Sequence, residues 1–409
     1  MTSVRIIQIA ESWGGMEHNN TQLAAQLTHR GVRASITTVG ARAYSLMPER
    51  YRDLFEVEEI DWPLDRLPGF WQWYRLMRAR PADIAVLPKN WWAKGGLALV
   101  WAAGLAYPRV VLREHVAVPN LPRPAPADGG IRLSRPHLWW WRHLAYGTLL
   151  SAVPERIICV SETVRSRLVE QCAFSAAKTV AVHNGVDTDV FRHSATARAV
   201  CRAHLGIPAE AVVVGAVGRL EIGSKRHDWS LRAFAEVLGS TPAADLWFLL
   251  VGDGPDRARL AELARELGVS ERVVLAPFTP APWEAYSSLD VFLMPSAFEA
   301  FGLAMVEAMA CERCVIGAAV DGLREILSEP GIGFAVAPED FQGLVAALRC
   351  AIAMNPGERR AMGRAARASV LRRFDAKIQY QKIVDEVLGP TFSPPAPALQ
   401  RAPVVSVSR

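Results

Sequence analysis

Short apolar runs alternate with longer amphipathic stretches along most of the 409-residue chain. The runs predict strands, and the stretches between them predict helices. Alternation of this kind is typical of mostly parallel sheets covered on both faces by helices. The predicted strands are residues 4–10, 33–39, 83–87, 109–113, 156–160, 179–182, 212–217, 246–251, 272–275, 291–294 and 314–317, and the predicted helices are 17–30, 71–80, 94–106, 136–150, 163–172, 226–238, 258–267, 303–309, 341–354 and 356–388.

A polar segment from Asn184 reads as a connection between two such series. The pattern therefore predicts an α/β protein with two doubly wound, Rossmann-like domains that face a cleft. We place the first domain at residues 1–190 and the second at 191–370. The Pro-rich residues 389–409 lack periodicity and are predicted to be disordered.

Composition limits the classes of protein. A hydrophobic content of 51% and a mean hydropathy of +0.12 indicate a globular chain. No apolar run reaches the ~18 residues of a membrane span, and no secretory signal is recognised at the start. The net charge of +5 suits anionic ligands or an anionic membrane surface, and is too small to argue for nucleic acid. These features predict a cytoplasmic protein.

The six cysteines fit a reducing compartment. Cys311 and Cys314 form one C-x-x-C pair, but no second pair of metal ligands follows at a suitable spacing. Buried structural thiols are therefore favoured, and no metal site is predicted.

The stretch from Ser296 to Ala310 carries the strongest chemical indication. An apolar strand ends before it, and a helix begins near Gly302, so its N-terminus offers unpaired amides and partial positive charge to a phosphate. Glu299 lies in the loop and Glu307 lies in the helix. Two carboxylates beside an anion site suggest a ligand with hydroxyls as well as phosphates, as in a nucleotide sugar. The alternative is a pair of solvated charges.

A second motif follows the strand that ends at Gly218. Arg219 and Lys225 flank a short loop there, and two cations at the carboxyl end of a strand suit a diphosphate. Such cations stabilise the charge that develops on a leaving diphosphate. Arg226 is less well placed to point inward. The alternative is a solvated basic loop.

Other loops at strand ends add weaker candidates. Gly14 and Gly15 allow a ligand to approach the backbone, although an ordinary turn would look the same. Gly252 permits a similar approach. Phe278 either borders a nucleotide base or packs in the core. His115 either hydrogen-bonds a sugar or has a structural role.

Trp139, Trp140 and Trp141 form an aromatic and basic cluster with Arg135, Arg142 and His143. Such surfaces can rest on anionic membranes. Three consecutive tryptophans cannot all lie on one face of a helix, so core packing with partial exposure is favoured. Peripheral contact with an anionic membrane stays open.

Taken together, the motifs resemble those of the retaining glycosyltransferases of family 4, which have the GT-B fold. The resemblance covers residues 1–388 and implies that a helix at 371–388 returns to the first domain. It rests on the Gly14–Gly15 turn, His115, CVSE at 159–162, HNGVD at 183–187, GRL and the following Lys225, VGDGP at 251–255, and the spacing from Glu299 to Glu307.

The resemblance implies roles for donor binding. Arg219 and Lys225 would hold the diphosphate and aid its departure, and Glu307 would bind the ribose hydroxyls. Glu299 would hold hydroxyls of the donor sugar. The backbone of Phe301, Gly302 and Leu303 would meet the sugar and the phosphate.

In the first domain, the resemblance places Gly15 against the donor phosphates and His115 near the transferred sugar and the acceptor. It implies a metal-independent hexosyltransferase that needs no cofactor beyond the nucleotide-sugar co-substrate. Retention implies attack from the leaving-group face with the donor phosphate as base, so no protein nucleophile is nominated.

The expected acceptor is a lipid-linked saccharide or a surface polysaccharide precursor, met in the cytoplasm or at the inner face of the membrane. Residues 116–135 form a long loop of unusual composition, which leaves the acceptor least defined. A 2-epimerase-like isomerase or a non-catalytic nucleotide-sugar-binding protein is the alternative.

Overall fold

The computed structural model describes residues 1–10, 15–40, 44, 47–62, 68–89, 96–115, 135–240 and 245–390, with residues 135–143 described by their backbone. Gly14, the side chains of the tryptophan cluster, the loop at 116–134 and the tail from 391 lie outside this description. Among the described residues, no helix is both long and apolar enough to span a bilayer.

The first domain is built on a parallel sheet. Its described strands are β1 (Ser3–Ala10), β2 (Arg33–Gly40), β3 (Glu56–Ile60), β4 (Ile84–Lys89), β5 (Arg109–Glu114), β6 (Arg156–Cys159) and β7 (Thr179–Ala181), arranged in the order β3-β2-β1-β4-β5-β6-β7. The connecting helices are α1 (Gly15–His29), α2 (Phe70–Arg78), α3 (Gly96–Ala106), α4 (Arg135–Ala152) and α5 (Glu162–Cys172). Neighbouring side chains along β1 enter different cores, since Ile6 packs with α1 and Ile7 packs with α2 and α3.

The second domain repeats this plan. Its described strands are β8 (Val212–Val217), β9 (Leu246–Val251), β10 (Val273–Ala276), β11 (Val291–Met294), β12 (Cys314–Ala318) and β13 (Phe334–Val336), in the order β10-β9-β8-β11-β12-β13. The helices are α6 (Ala195–His204), α7 (Ile222–Lys225), α8 (His227–Ser240), α9 (Arg257–Glu266), α10 (Pro282–Ser288), α11 (Leu303–Ala310), α12 (Asp321–Ile326) and α13 (Phe341–Ala353).

Two long helices end the described chain. The first, α14 (Pro356–Arg373), packs on the second domain, whereas α15 (Ala376–Leu388) buries Tyr380 and Ile383 in the core of the first. The crossing back to the first domain is therefore present. The continuous helix predicted over 356–388 is wrong, because Asp375 leaves the helical path to pair with Val186 in an isolated parallel bridge.

Short elements also depart from the sequence pattern. The sequence pattern does not predict β3, β13, α7, α10 or α12, and α6 occupies part of the segment that it predicts to be a polar connection. Ser194 caps α6 by accepting a hydrogen bond from the amide of Ala197 at 3.1 Å, which explains why a helix begins in a polar sequence.

Glu325 of α12 joins the two domains at the start of α5. Its carboxylate accepts hydrogen bonds from the Thr163 amide and hydroxyl at 2.8 Å and from the Glu162 amide at 3.1 Å, and it lies 2.9 Å from His183 Nε2. Burial alone would raise the pKa of Glu325, but the bonds from His183, Thr163 and Glu162 outweigh it and hold that pKa at about 2. The contact caps α5 with a residue of the other domain.

Each sheet reverses its strand order next to its first strand, at β1 and β4 in one domain and at β8 and β11 in the other. Ligands of doubly wound folds bind outside the carboxyl ends of the strands at such points. The two points face a common cleft, lined by Ile9 and Pro88 from one sheet and by Val217 and Met294 from the other.

Candidate active site

The interdomain cleft has a volume of about 1710 Å³. A site for one small molecule usually occupies ~300–1000 Å³, so this cleft has room for a donor and an acceptor together. All of the predicted site residues within the described ranges line it: Gly15, His115, Gly218, Arg219, Lys225, Gly252, Phe278, Glu299, Phe301, Gly302, Leu303 and Glu307. The structure thus brings the set together, while the individual roles stay predictions.

Glycines shape the turns after β8 and β9. Gly218 and Gly252 have φ values of 148° and 145°, which side chains rarely adopt. A Cβ on Gly252 would lie 1.9 Å from the Gly218 carbonyl oxygen, so these two loops can touch only without a side chain. A Cβ on Gly218 would meet nothing within 4 Å, which leaves the Gly218 backbone open to a ligand.

Lys225 and Glu299 form an ion pair across the second domain. Their side chains are 28% and 15% exposed, so each is held at the cleft wall and still reachable by a ligand. Arg226 turns away, pairing with Glu339 at 3.0 Å and lying 5.0 Å from the Trp229 ring centroid. The prediction that Lys225 rather than Arg226 points inward agrees with this geometry.

Arg219 is exposed in the cleft and has no ion pair within the described residues. His227 holds the loop below it, with Nε2 3.1 Å from the Arg219 carbonyl oxygen. Burial lowers the pKa of His227 to about 4, with the Lys225 cation adding to this and the Arg219 carbonyl opposing it. His227 is therefore a neutral support, and Arg219 is the cation left available to a diphosphate.

The loop that carries Glu299 is seated on α12. The Glu299 amide donates to Asp321 Oδ2 at 3.2 Å, and the Glu299 carbonyl accepts from the Gly322 amide at 3.0 Å. Gly302 closes the loop with a φ of 108°, and a Cβ there would lie 2.4 Å from Leu323 Cδ2. The contacts fix the position of Glu299 relative to the helix start that follows.

Two helix N-termini converge in the cleft. A Cβ on Gly15 at the start of α1 would lie 3.3 Å from Leu303 Cδ1 at the start of α11. Phe301 packs its ring against His183 and Phe374, each with a centroid distance of 5.6 Å, so only its backbone can serve a ligand. Both helix starts place amides and partial positive charge where an anion would lie.

Glu307 faces the cleft from α11 and accepts a hydrogen bond from the Tyr286 hydroxyl at 2.8 Å. Burial raises the pKa of the Glu307 carboxyl to about 7, although the bond from Tyr286 opposes this. Tyr286 lies on the unpredicted α10, and no motif in the sequence points to it. It orients Glu307 toward the opening.

Neutral imidazoles line the first domain's side of the cleft. Burial, reinforced by Arg113, holds the pKa of His115 well below its usual range. Burial also lowers the pKa of His18 to about 4, with Arg50 adding to the effect and Asp187 opposing it. His18 Nε2 lies 2.6 Å from Gln22 Nε2, and Arg50 pairs with Asp187 at 3.1 Å. His18 and Arg50 are not among the predicted site residues; the polar run EHNNTQ at residues 17–22 is the sequence feature that points to His18.

The predicted structural thiols are buried, and Cys314 Sγ lies 3.5 Å from Met362 Sδ. Within the described ranges, no three His, Cys, Asp or Glu side chains group as metal ligands would. Metal independence stays a prediction.

Known proteins resemble both halves of the chain. Residues 198–369 match the family model of glycosyl transferases group 1, and residues 13–190 match that of glycosyltransferase family 4. A D-inositol 3-phosphate glycosyltransferase of Acidothermus cellulolyticus is 27% identical over 92% of this chain and 85% of its own. That of Kineococcus radiotolerans is 36% identical, but over only 44% of this chain and 43% of its own.

Solved structures support the fold. Anabaena HepE in complex with UDP and glucose superposes with a TM-score of 0.75 at 21% identity, over 93% of this chain and 98% of its own. Sucrose-phosphate synthase of Thermosynechococcus elongatus gives a TM-score of 0.72 at 20% identity, over 94% and 98%. Because the two family matches account for both domains in the order of their sheets, this chain belongs to the family 4 glycosyltransferases of the GT-B fold.

Proposed function

We propose that this glycosyltransferase moves a hexose from a nucleoside-diphosphate sugar to a hydroxyl acceptor, with retention of anomeric configuration and without a metal ion. One observation carries the proposal. Arg219, Lys225 and the start of α11 share a single cleft with Glu299 and Glu307, which brings cations suited to a diphosphate together with carboxylates suited to sugar hydroxyls.

The ion pair of Lys225 and Glu299 sets the expected order of contacts. A diphosphate would draw Lys225 away from its partner, and Glu299 would then accept hydrogen bonds from the donor sugar. Arg219 and the two helix starts supply the remaining positive charge. As the bond from the sugar to the phosphate breaks, these fixed groups stabilise the charge on the departing diphosphate.

We propose His115 as a neutral hydrogen-bonding group near the transferred sugar. Attack from the leaving-group face would let the donor phosphate accept the acceptor proton, which requires no protein nucleophile and no cofactor beyond the co-substrate.

The proposed acceptor is a lipid-linked saccharide or a surface polysaccharide precursor, reached at the inner face of the cytoplasmic membrane. The free state of all six cysteines supports a reducing compartment. The second candidate acceptor is an inositol phosphate, which the names of the curated relatives support. Arg50 is the charged group to test against its phosphate.

The test is nucleotide release from a donor panel that begins with UDP-glucose, because HepE has been solved with it. Lys225→Gln and Glu299→Gln should each lower kcat by ~10²–10³-fold, the usual effect of removing one transition-state contact. Arg226→Gln and Glu339→Gln alter the neighbouring ion pair outside the reacting centre and should keep activity.

Full activity in both site variants would refute the assignment. Conversion of the donor without any acceptor would indicate an isomerase instead. Proton NMR of the product reports its anomeric configuration, and assays with EDTA report any need for a metal.

A further inference from the structure

Four large hydrophobic side chains are exposed on adjacent helices of the first domain. Trp71 of α2 is 67% exposed, Trp101 and Leu105 of α3 are 38% and 61% exposed, and Leu149 of α4 is 45% exposed. The Trp101 indole donates to the Leu149 carbonyl at 3.1 Å, which joins α3 to α4. Single exposed hydrophobics are common on any protein, but a group on neighbouring helices marks an interaction surface.

The composition of α3 strengthens this inference. Its sequence GLALVWAAGLA contains no charged side chain, and the Trp101 indole N–H is its one polar side-chain group. A helix that is apolar on every side is normally buried. Here one side of α3 packs on the sheet, while Trp101 and Leu105 lie open on the other. The outer side of α3 is therefore exposed, although its sequence is typical of a helix that is buried on every side.

The charge of these helices indicates which kind of partner this surface binds. The described helices α2, α3 and α4 contain no aspartate or glutamate. Arg75 and Arg78 are exposed on the same side of α2 as Trp71, at helical spacing, and neither forms an ion pair with a described residue. A symmetric contact with a second copy would bring these arginines together, which like-charge repulsion disfavours. An anionic lipid surface complements both the charge and the aromatic residues.

We propose that this α2–α4 face, defined by Trp71, Arg75, Arg78, Trp101, Leu105 and Leu149, docks the first domain on an anionic bilayer. The apolar side chains enter the boundary between headgroups and acyl chains, and the arginines contact lipid phosphates. Leu99 of α3 lines the cleft, so docking would hold the cleft opening beside the membrane. The proposal does not depend on the reaction proposed above.

Vesicle co-sedimentation tests the apolar part. Full-length protein should bind vesicles of phosphatidylcholine with about one third phosphatidylglycerol, and bind pure phosphatidylcholine far more weakly. Trp71→Ser with Leu105→Ser should reduce binding more than ~10-fold, because two exposed anchors are lost. Val200→Ser with Leu371→Ser, which changes exposed hydrophobics on α6 and α14, should bind like the wild type.

The arginines are tested in the same assay. Arg75→Gln with Arg78→Gln should reduce binding about 25-fold, at about fivefold for each charge near an anionic surface. Arg360→Gln with Arg364→Gln removes two exposed charges from α14 and should have little effect. Molar salt should weaken wild-type binding, because it shortens the screening length from about 10 to about 3 Å.

Unchanged binding in the face variants, or an equal loss in the controls, would overturn the proposal. A wild-type protein that does not bind vesicles but self-associates through Trp71 and Leu105 in light scattering would also overturn it. That result would assign the face to a second copy. Nucleotide affinity by calorimetry should be the same in all variants. Loss of nucleotide binding with intact vesicle binding would count against the reaction, not the docking.

Discussion

The buried carboxyl of Glu307 makes donor binding depend on pH. Burial places its pKa at about 7. The ionised carboxylate can accept hydrogen bonds from both ribose hydroxyls, whereas the protonated form loses part of that capacity. Raising the pH through 7 ionises Glu307 and should therefore tighten nucleotide binding. The ionised fraction rises from roughly one eleventh at pH 6 to roughly ten elevenths at pH 8, so the dissociation constant should fall by at most about tenfold.

Calorimetry of UDP binding at pH 6, 7 and 8 measures this effect. The terminal phosphate of UDP itself has a pKa of about 6, but it titrates equally with wild type and Glu307→Gln, so the ratio of their affinities isolates the effect of the Glu307 carboxyl. The cleft histidines His18, His115 and His227 do not add to the pH dependence between pH 6 and 8. Burial holds the pKa of His18 and His227 at about 4 and that of His115 well below its usual range.

A ratio that stays constant from pH 6 to 8 would show that Glu307 does not bind the ribose. A ratio that changes in the opposite direction would show that the protonated carboxyl is the binding form. The first result would remove Glu307 from the donor site, and the second would refute the predicted sign of its pH dependence. Both leave the ion pair of Lys225 and Glu299 to be tested separately.

Three further predictions follow from single contacts. Glu325→Gln should lower the free energy of unfolding in urea by on the order of 3 kcal/mol at pH 7, because the depressed pKa of Glu325 gives a stabilisation that is present above about pH 4.5 and lost toward about pH 2. Glu329→Gln breaks a largely exposed ion pair and should cost under ~1 kcal/mol. Equal losses in the two variants would refute the role of Glu325. Gly252→Ala should lower the free energy of unfolding by more than ~3 kcal/mol and abolish nucleotide binding, because its Cβ would lie 1.9 Å from a carbonyl oxygen. Gly239→Ala, on α8 with open space around it, should be neutral or stabilise the protein by ~0.5–1 kcal/mol. A similar change in both variants would contradict the steric argument. Tyr286→Phe should move the midpoint of the calorimetric pH profile upward, because the hydroxyl lowers the pKa of the carboxyl it contacts, and an unmoved midpoint would show that the bond is not maintained in solution.

The predicted site residues could be collected from sequence because parallel strands end at one edge of a sheet. An apolar run followed by Gly218 and Arg219, or by Glu299, places those residues at that edge whatever else the chain does. The two-domain α/β architecture followed from the same periodicity.

Short elements could not be predicted because distant contacts form them. β3 reads EVEEI, a charged sequence, and it becomes an edge strand because Glu58 pairs with Arg80 and lies 3.7 Å from Arg5. α12 begins with Asp321 and Gly322, which are poor helix formers, and Asp321 even has a φ of 40°. Its contacts with Arg167 of α5 and with the Glu299 amide explain why the strained backbone persists.

The same contacts connect the arrangement of the domains to the donor site. At one end of α12, Asp321 holds the Glu299 loop of the second domain and pairs with Arg167 of the first. At the other end, Glu325 caps α5. Because α12 is only six residues long, a shift of α5 against the second domain must move both ends together or break one of these bonds. The position of Glu299 is therefore set partly by the first domain, and a substitution on α5 far from any ligand should alter how the donor sugar is held.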